Sequence, residues 1–132
     1  MPRITATIEH QNYKTEITTE TNILIADEPK EVGGQGLGFA PRELLASSLG
    51  ACTAITLKMY ADRKGWNLEE AKVHVEFRWD KENLKSVMER KVELIGDLDE
   101  DQKVRLLVIA NSCPVHKILS NPIEISTVLG EL

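Results

Sequence analysis

The sequence predicts an α+β fold in a single domain over residues 1–132. Short segments in which apolar and polar residues alternate lie at the start and in the middle of the chain, as expected for half-buried strands. Two longer segments have the apolar spacing of helices. The resulting order of strands, helix, strands, helices and strand is typical of the α+β class.

Three short strands are predicted before the first helix. Ile4–Ile8 and Tyr13–Ile17 alternate between apolar and polar residues, which predicts a hairpin. Asn22–Ala26 is predicted as the third strand. Pro29 ends that strand, because proline cannot donate to a strand ladder.

A glycine-rich loop is predicted at Gly33–Gly38. It has the glycine content of a phosphate-binding loop but lacks the Gly-Lys-Ser/Thr ending, so nucleotide binding is not favoured. The acidic residues just before it, Asp27, Glu28 and Glu31, are interpreted as a solvated turn. A binding role for them stays open, because loops often carry binding residues.

The most informative segment is a long helix predicted from Pro41 to about Lys64. Proline suits a first helical turn, and Gly65 ends the helix after two cations that favour the helix C-terminus. A helix that is apolar on nearly all sides must be wrapped by other protein. Its apolar residues include Leu44, Leu45, Leu49, Ala51, Cys52, Ala54, Ile55, Leu57, Met59 and Tyr60.

Two strands, two helices and a last strand are predicted after the long helix. Val73–Trp79 alternates clearly, and Lys85–Leu94 is the returning strand. A capping-box pattern starts the second long helix, at about residues 100–111. A short helix is predicted from Cys113 to Leu119, and a final strand at Ile123–Ser126.

Charge and composition exclude several function classes. The net charge is −5 and no basic stripe is present, which argues against nucleic-acid and anionic-membrane partners. The longest uncharged apolar stretch, Leu44–Leu57, is shorter than the ~18 residues of a membrane span. No signal peptide is visible. We therefore expect a cytoplasmic protein whose two cysteines are free, catalytic or redox-active.

The two cysteines lie in different settings. Cys52 is inside the long apolar helix, where it is either a small buried hydrophobe or a nucleophile that needs a cationic partner. Cys113 stands at the start of a helix before Pro114, where free backbone N–H groups favour a thiolate. His116 lies one turn further on. Cys113 is therefore either an activated or resolving thiol, or a capping residue.

A metal site is not predicted. Cys113 and His116 could supply two ligands, but the remaining candidates are only Cys52, His10 and His74. A closed site of four ligands is therefore improbable. We predict neither a metal nor a cofactor.

Five motifs make the chain resemble the OsmC/Ohr family of osmotically induced and organic-hydroperoxide-resistance proteins, and the resemblance covers residues 4–125. Their order and the separation of the two cysteines fit the family pattern. The motifs are Asp27-Glu-Pro29, Gly33-Gly34, Pro41-x-Glu-Leu-Leu-Ala46, Leu49-Gly-Ala-Cys-Thr53 and Cys113-Pro-Val-His116.

The resemblance implies an intertwined homodimer in which long central helices are wrapped by antiparallel sheets, with active sites at the subunit interface. It also implies a thiol-dependent hydroperoxide reductase in oxidative-stress defence. Cys52 matches the peroxidatic position and Cys113 the resolving position. An external thiol or dithiol would reduce the resulting disulfide. The apolar flanks of Cys52 favour organic hydroperoxides. A non-catalytic small-molecule-binding or redox-sensing dimer is the alternative.

Two positions depart from the pattern of the family's peroxidases. The family glutamate lies ten residues before the peroxidatic cysteine, where this chain has Arg42, and Glu43 follows it. Both are secondary candidates for the catalytic site. The family arginine near the first hairpin has no counterpart here, and the basic residues in that region are His10 and Lys14.

Overall fold

The computed structural model describes residues 1–130, which divide into two compact units. The first unit comprises Met1–Ser47 and Phe77–Val87. The second comprises Ser48–Glu76 and the chain from Met88 onward. The predicted mixture of helices and strands is confirmed, whereas a single domain over the whole chain stays a prediction.

A three-stranded antiparallel sheet forms the N-terminal part of the first unit. Its strands are β1 (Thr5–Ile8), β2 (Thr15–Thr18) and β3 (Ile23–Ala26), in that order across the sheet. Ile17 of β2 lies opposite Ala6 of β1. The predicted hairpin and third strand are therefore confirmed.

The glycine loop packs closely against the backbone that precedes it. A short 3-10 helix, Lys30–Val32, which the pattern did not predict, leads into the loop. A Cβ atom on Gly34 would lie 2.0 Å from the carbonyl oxygen of Glu28. The N–H groups of Gly34 and Gly36 donate to backbone carbonyls of this same segment. These glycines therefore serve close packing within the chain.

Asp27 is a buried structural carboxylate at the centre of this loop. It is 2% exposed, so the interpretation as a solvated turn is wrong for this residue. Its Oδ1 accepts from the N–H groups of Tyr13 and Glu28, at 3.2 and 2.7 Å. Its Oδ2 accepts from Gln35 and Leu37, at 3.3 and 3.1 Å. Burial acts to raise the pKa of Asp27, but the four N–H donors together lower it below its usual value.

We expect Asp27→Asn to lower the free energy of unfolding, because an amide nitrogen would face two of the N–H donors. The folded-state pKa is depressed, so the stabilisation is present above the unfolded-state pKa of ~3.9 and lost as pH falls through the folded-state value. Urea unfolding between pH 7 and pH 3 tests this. The difference in the free energy of unfolding between the parent and Asp27→Asn should become smaller below about pH 4. Glu31→Gln, at an exposed neighbouring acid, is the control; an equal loss in both variants would contradict the prediction.

The second unit is built on most of a long helix, α1 (Pro41–Lys64), which confirms the predicted bounds. Strands β4 (Asn67–Asp80) and β5 (Lys85–Asp97) form a two-stranded sheet. Helices α2 (Glu100–Ala110) and α3 (Pro114–Leu119) follow. The buried core of this unit consists of Leu57, Ala61, Leu68, Leu106 and Ala110.

Only one stripe of α1 is buried within the chain. Its buried residues, four apart, are Leu49, Thr53, Leu57 and Ala61. Ile55 and Met59 are 54% and 65% exposed. The expectation that this helix is wrapped on all sides is therefore not met by one protomer alone.

Helix α2 begins as predicted, whereas the last predicted strand is wrong. The Asp99 side chain accepts from the N–H of Gln102, and the Gln102 side chain accepts from the N–H of Asp99, at 2.8 and 3.0 Å. Residues 123–126 form no strand. Ile123 and Ile125 are 58% and 85% exposed, and a strand requires a partner for its N–H and C=O groups.

By length and composition alone, α1 could cross a membrane, and it is the one helix among residues 1–130 that could. Core helices of soluble proteins meet the same criterion. The middle of α1 carries Thr53, whose hydroxyl accepts a hydrogen bond from the Arg90 guanidinium. An arginine held there fits a protein interior better than lipid.

Candidate active site

Cys113 is the N-cap residue of α3. Its backbone is extended, Pro114 occupies the first turn, and its Sγ accepts from the N–H of His116 at 3.5 Å. None of the Cys113 surface is exposed. The predicted short helix is confirmed, and its free N–H groups point at a sulfur, as a helix start allows.

Cys52 lies on α1, and its thiol is close enough to that of Cys113 for the two to shift each other's pKa. It is half-buried, so it is the more accessible of the two sulfurs. Burial raises the pKa of Cys52, and the adjacent Cys113 sulfur adds to the rise. The N–H of Val115 and the Thr56 hydroxyl oppose this effect.

The pKa of the Cys113 thiol is shifted in the opposite direction, below its usual value. Burial acts to raise its pKa, but hydrogen bonds from the Cys52 thiol, the N–H groups of His116 and Val115, and the Thr53 hydroxyl together lower it below its usual value. The two thiols interact directly, so loss of the first proton belongs to the pair. The pKa of Cys113 is therefore the lower of the two and that of Cys52 the higher.

Arg90, on β5, joins three segments around this cysteine pair. Its Nη1 donates to Oγ1 of Thr53 at 2.9 Å. Its Nη2 donates to Oδ1 of Asn111 at 2.9 Å and approaches Nδ1 of His116 at 3.0 Å. A guanidinium cannot accept a hydrogen bond, so Nδ1 of His116 is the acceptor and the imidazole is the neutral Nε2–H tautomer.

The sequence interpretation missed Arg90, Thr53 and Asn111. A signal for Arg90 was present in β5, where Met88, Arg90, Val92 and Leu94 share the inward-facing phase. One arginine in a row of apolar residues is a candidate for a partly buried, hydrogen-bonded cation.

The secondary candidates Arg42 and Glu43 lie in the first turn of α1. Oε1 of Glu43 accepts from the N–H of Ala40 at 2.8 Å, so this glutamate caps the helix start. The Arg42 side chain is exposed. His10 is exposed and Lys14 is half-buried, both in the first unit.

Cys113 and His116 are two candidate metal ligands in the sequence. Across the described chain, 1–130, no group of three or more potential ligands is clustered. Nδ1 of His116 is already bound by Arg90.

These features define an α+β protein with an interacting pair of thiols, and comparison with known proteins assigns its family. Residues 34–128 match the family described as OsmC-like protein. The chain therefore belongs to the OsmC-like family. Among curated proteins, none matches the sequence significantly.

Solved structures of the OsmC/Ohr group have the same fold. An osmotic stress and detoxification response protein from Psychrobacter arcticus has a TM-score of 0.76 and 21% identity over 89% of this chain and 88% of that one. An OsmC-like protein from Mycoplasma pneumoniae gives 0.74 and 20% identity over 89% and 86%. The organic hydroperoxide resistance protein OsmC from Legionella pneumophila gives 0.64 and 22% identity over 90% and 90%.

Proposed function

We propose that this protein is a thiol-dependent hydroperoxide reductase of the cytoplasm that acts in oxidative-stress defence. The observation that carries the proposal is that the Cys52 and Cys113 thiols are close enough for each to shift the pKa of the other. Two adjacent thiols, one more accessible and the other with a lowered pKa, can undergo a two-electron oxidation to a disulfide without a metal or an organic cofactor. Hydroperoxide resistance proteins among the structural neighbours support the same chemistry.

The reaction proceeds in three balanced steps. The Cys52 thiolate attacks the outer oxygen of the hydroperoxide, the O–O bond breaks, and the organic oxygen leaves as an alcohol after taking a proton. Cys52 is then a sulfenic acid. The Cys113 thiolate attacks that sulfur, forming a disulfide and releasing water after protonation. An external thiol or dithiol reduces the disulfide by exchange.

The two thiols divide these roles by access and acidity. Cys113 is more acidic but fully buried, whereas Cys52 is half-buried. Transfer of one proton from Cys52 to Cys113 places the charge on the sulfur that a peroxide can reach. After oxidation of Cys52, the donors around Cys113 favour the thiolate needed for the second step. The apolar surroundings of Cys52 favour organic hydroperoxides over hydrogen peroxide.

A homodimer would cover the exposed apolar surface of the second unit. Ile55 and Met59 on α1 and Leu107 on α2 are more than half exposed. The tail carries Ile125 and Leu129, which are 85% and 101% exposed. Apolar surface of this extent on one chain is typical of an obligate interface. A partner protomer is also the source from which Arg42, Glu43 or a hairpin cation would reach Cys52.

Steady-state consumption of tert-butyl hydroperoxide with dithiothreitol tests the proposal. The parent should turn over many equivalents, and faster than with hydrogen peroxide. With Cys52→Ser, the rate of hydroperoxide consumption should fall to that of dithiothreitol without protein. Ser112→Ala, at an exposed serine beside Cys113, is the control and should keep the parent rate. A Cys52→Ser protein as fast as the parent would contradict the proposal.

The alternative is a non-catalytic dimer that binds a small molecule or senses redox state. The raised pKa of Cys52 favours it, because a thiol that stays protonated is a poor nucleophile. The pH dependence of Cys52 alkylation separates the two functions. A midpoint well below ~8.5 argues against the non-catalytic alternative, and fast oxidation of Cys52 without turnover supports sensing.

A further inference from the structure

We propose that Arg90 is a positioning residue that fixes the spacing of the two cysteine-bearing segments. Its guanidinium binds Thr53, next to Cys52, and it binds Asn111 and His116, which lie on either side of Cys113. One planar group thus holds α1, the end of α2 and the start of α3 together. The inference deepens the proposed function, but it is tested by measurements that do not require turnover.

The contacts of Thr53 explain how Arg90 acts on the buried sulfur. The Thr53 hydroxyl is fully buried and donates to the carbonyl of Leu49 at 2.7 Å. Because Arg90 donates to the same oxygen, the Thr53 hydroxyl is fixed from two sides. Thr53 is the neighbour of Cys52 on α1, so a fixed Thr53 also fixes the helix segment that carries Cys52.

The contact with His116 supports the same sulfur from the other side. The backbone N–H of His116 donates to Sγ of Cys113, while the side chain of the same residue accepts from Arg90. Arg90 therefore fixes both the Thr53 side chain on α1 and the residue on α3 whose N–H donates to the Cys113 sulfur. None of the three acceptors of Arg90 is charged, so these bonds do not neutralise the guanidinium.

The fork geometry of arginine is required for this role. Two different terminal nitrogens serve three acceptors at 2.9–3.0 Å. A lysine ammonium keeps the charge but is a single point on a flexible stem, and it cannot bridge all three segments in the same way. Arg90→Lys therefore keeps the positive charge but removes the bridge between the three segments, so it shows which of the two matters.

The test follows the ultraviolet absorbance of the Cys113 thiolate against pH in a Cys52→Ser background, where it is the sole thiol. We expect Arg90→Met to raise the midpoint by about one pH unit and Arg90→Lys to raise it nearly as much. Arg105→Met, which removes an arginine bound to Tyr60, should leave the midpoint unchanged. An Arg90→Met midpoint equal to that of Arg105→Met, or a parent-like midpoint in Arg90→Lys, would overturn the proposal.

A double-mutant cycle with Thr53→Val tests whether Arg90 acts through the threonine. We expect the Arg90→Met, Thr53→Val double variant to shift the midpoint no further than the larger single change, because the two residues act as one unit. Additive shifts would contradict that link. If Arg90→Met does not fold, as judged by circular dichroism, Arg90→Lys and Thr53→Val decide the question.

Discussion

Replacing Cys113 with serine is expected to leave Cys52 as a persistent sulfenic acid after one equivalent of organic hydroperoxide. The parent should lose about 2 Da, because disulfide formation removes two hydrogens, whereas Cys113→Ser should gain about 16 Da for one oxygen. With excess hydroperoxide the variant should proceed to the irreversible sulfinic acid, since the resolving thiolate is absent. Intact-protein mass spectrometry without added thiol measures all three states.

The Cys52→Ser protein is the matched control for this prediction. It keeps Cys113, which is more acidic but has no exposed surface. We expect its mass to stay unchanged under the same single equivalent, because the peroxide cannot reach that sulfur. Oxidation of Cys113 in this variant at the parent rate would reverse the roles of the two thiols.

Replacing Leu106 with alanine is expected to lower the free energy of unfolding by about 2–5 kcal/mol, the largest stability effect predicted for this chain. Leu106 is 0% exposed and lies in the core formed with Leu57, Leu68 and Ala110. Removing its side chain costs transfer energy and leaves a cavity that packed helices cannot close completely. Urea unfolding monitored by circular dichroism gives the difference.

Leu107→Ala, at the next residue of the same helix, is the control. Leu107 is 59% exposed in the protomer, so its truncation should cost little within one chain. Any loss that it does cause should come through association and should therefore depend on protein concentration. Equal, concentration-independent losses in both variants would contradict the assigned core.

The elements that were predicted correctly carry local signals. Proline begins α1 and a glycine follows its last residue, and α2 begins with a reciprocal capping box. The start of β4 was missed because Leu68 is out of phase with Ala71 and the strand beyond it. The strand predicted at Ile123–Ser126 was wrong because alternation alone does not supply a pairing partner.

The candidate site also contains residues that were predicted from the sequence and one, Arg90, that was not. The resemblance supplied Cys52 and Cys113 as the chemical pair, and the structure brings the two thiols together. The cation that joins their surroundings is separated from them by 38 and 23 positions along the chain, as the residue numbers 52, 90 and 113 give. No local pattern links positions so far apart, because a tertiary contact between β5 and α1, not a spacing along the chain, places Arg90 beside Thr53.

The central claim is that Cys52 and Cys113 are one redox couple within a chain. Peptide-mapping mass spectrometry of the parent after one equivalent of tert-butyl hydroperoxide tests it most directly. We expect an intrachain Cys52–Cys113 disulfide that dithiothreitol fully reverses. Two free thiols, or a crosslink only between chains, would contradict it.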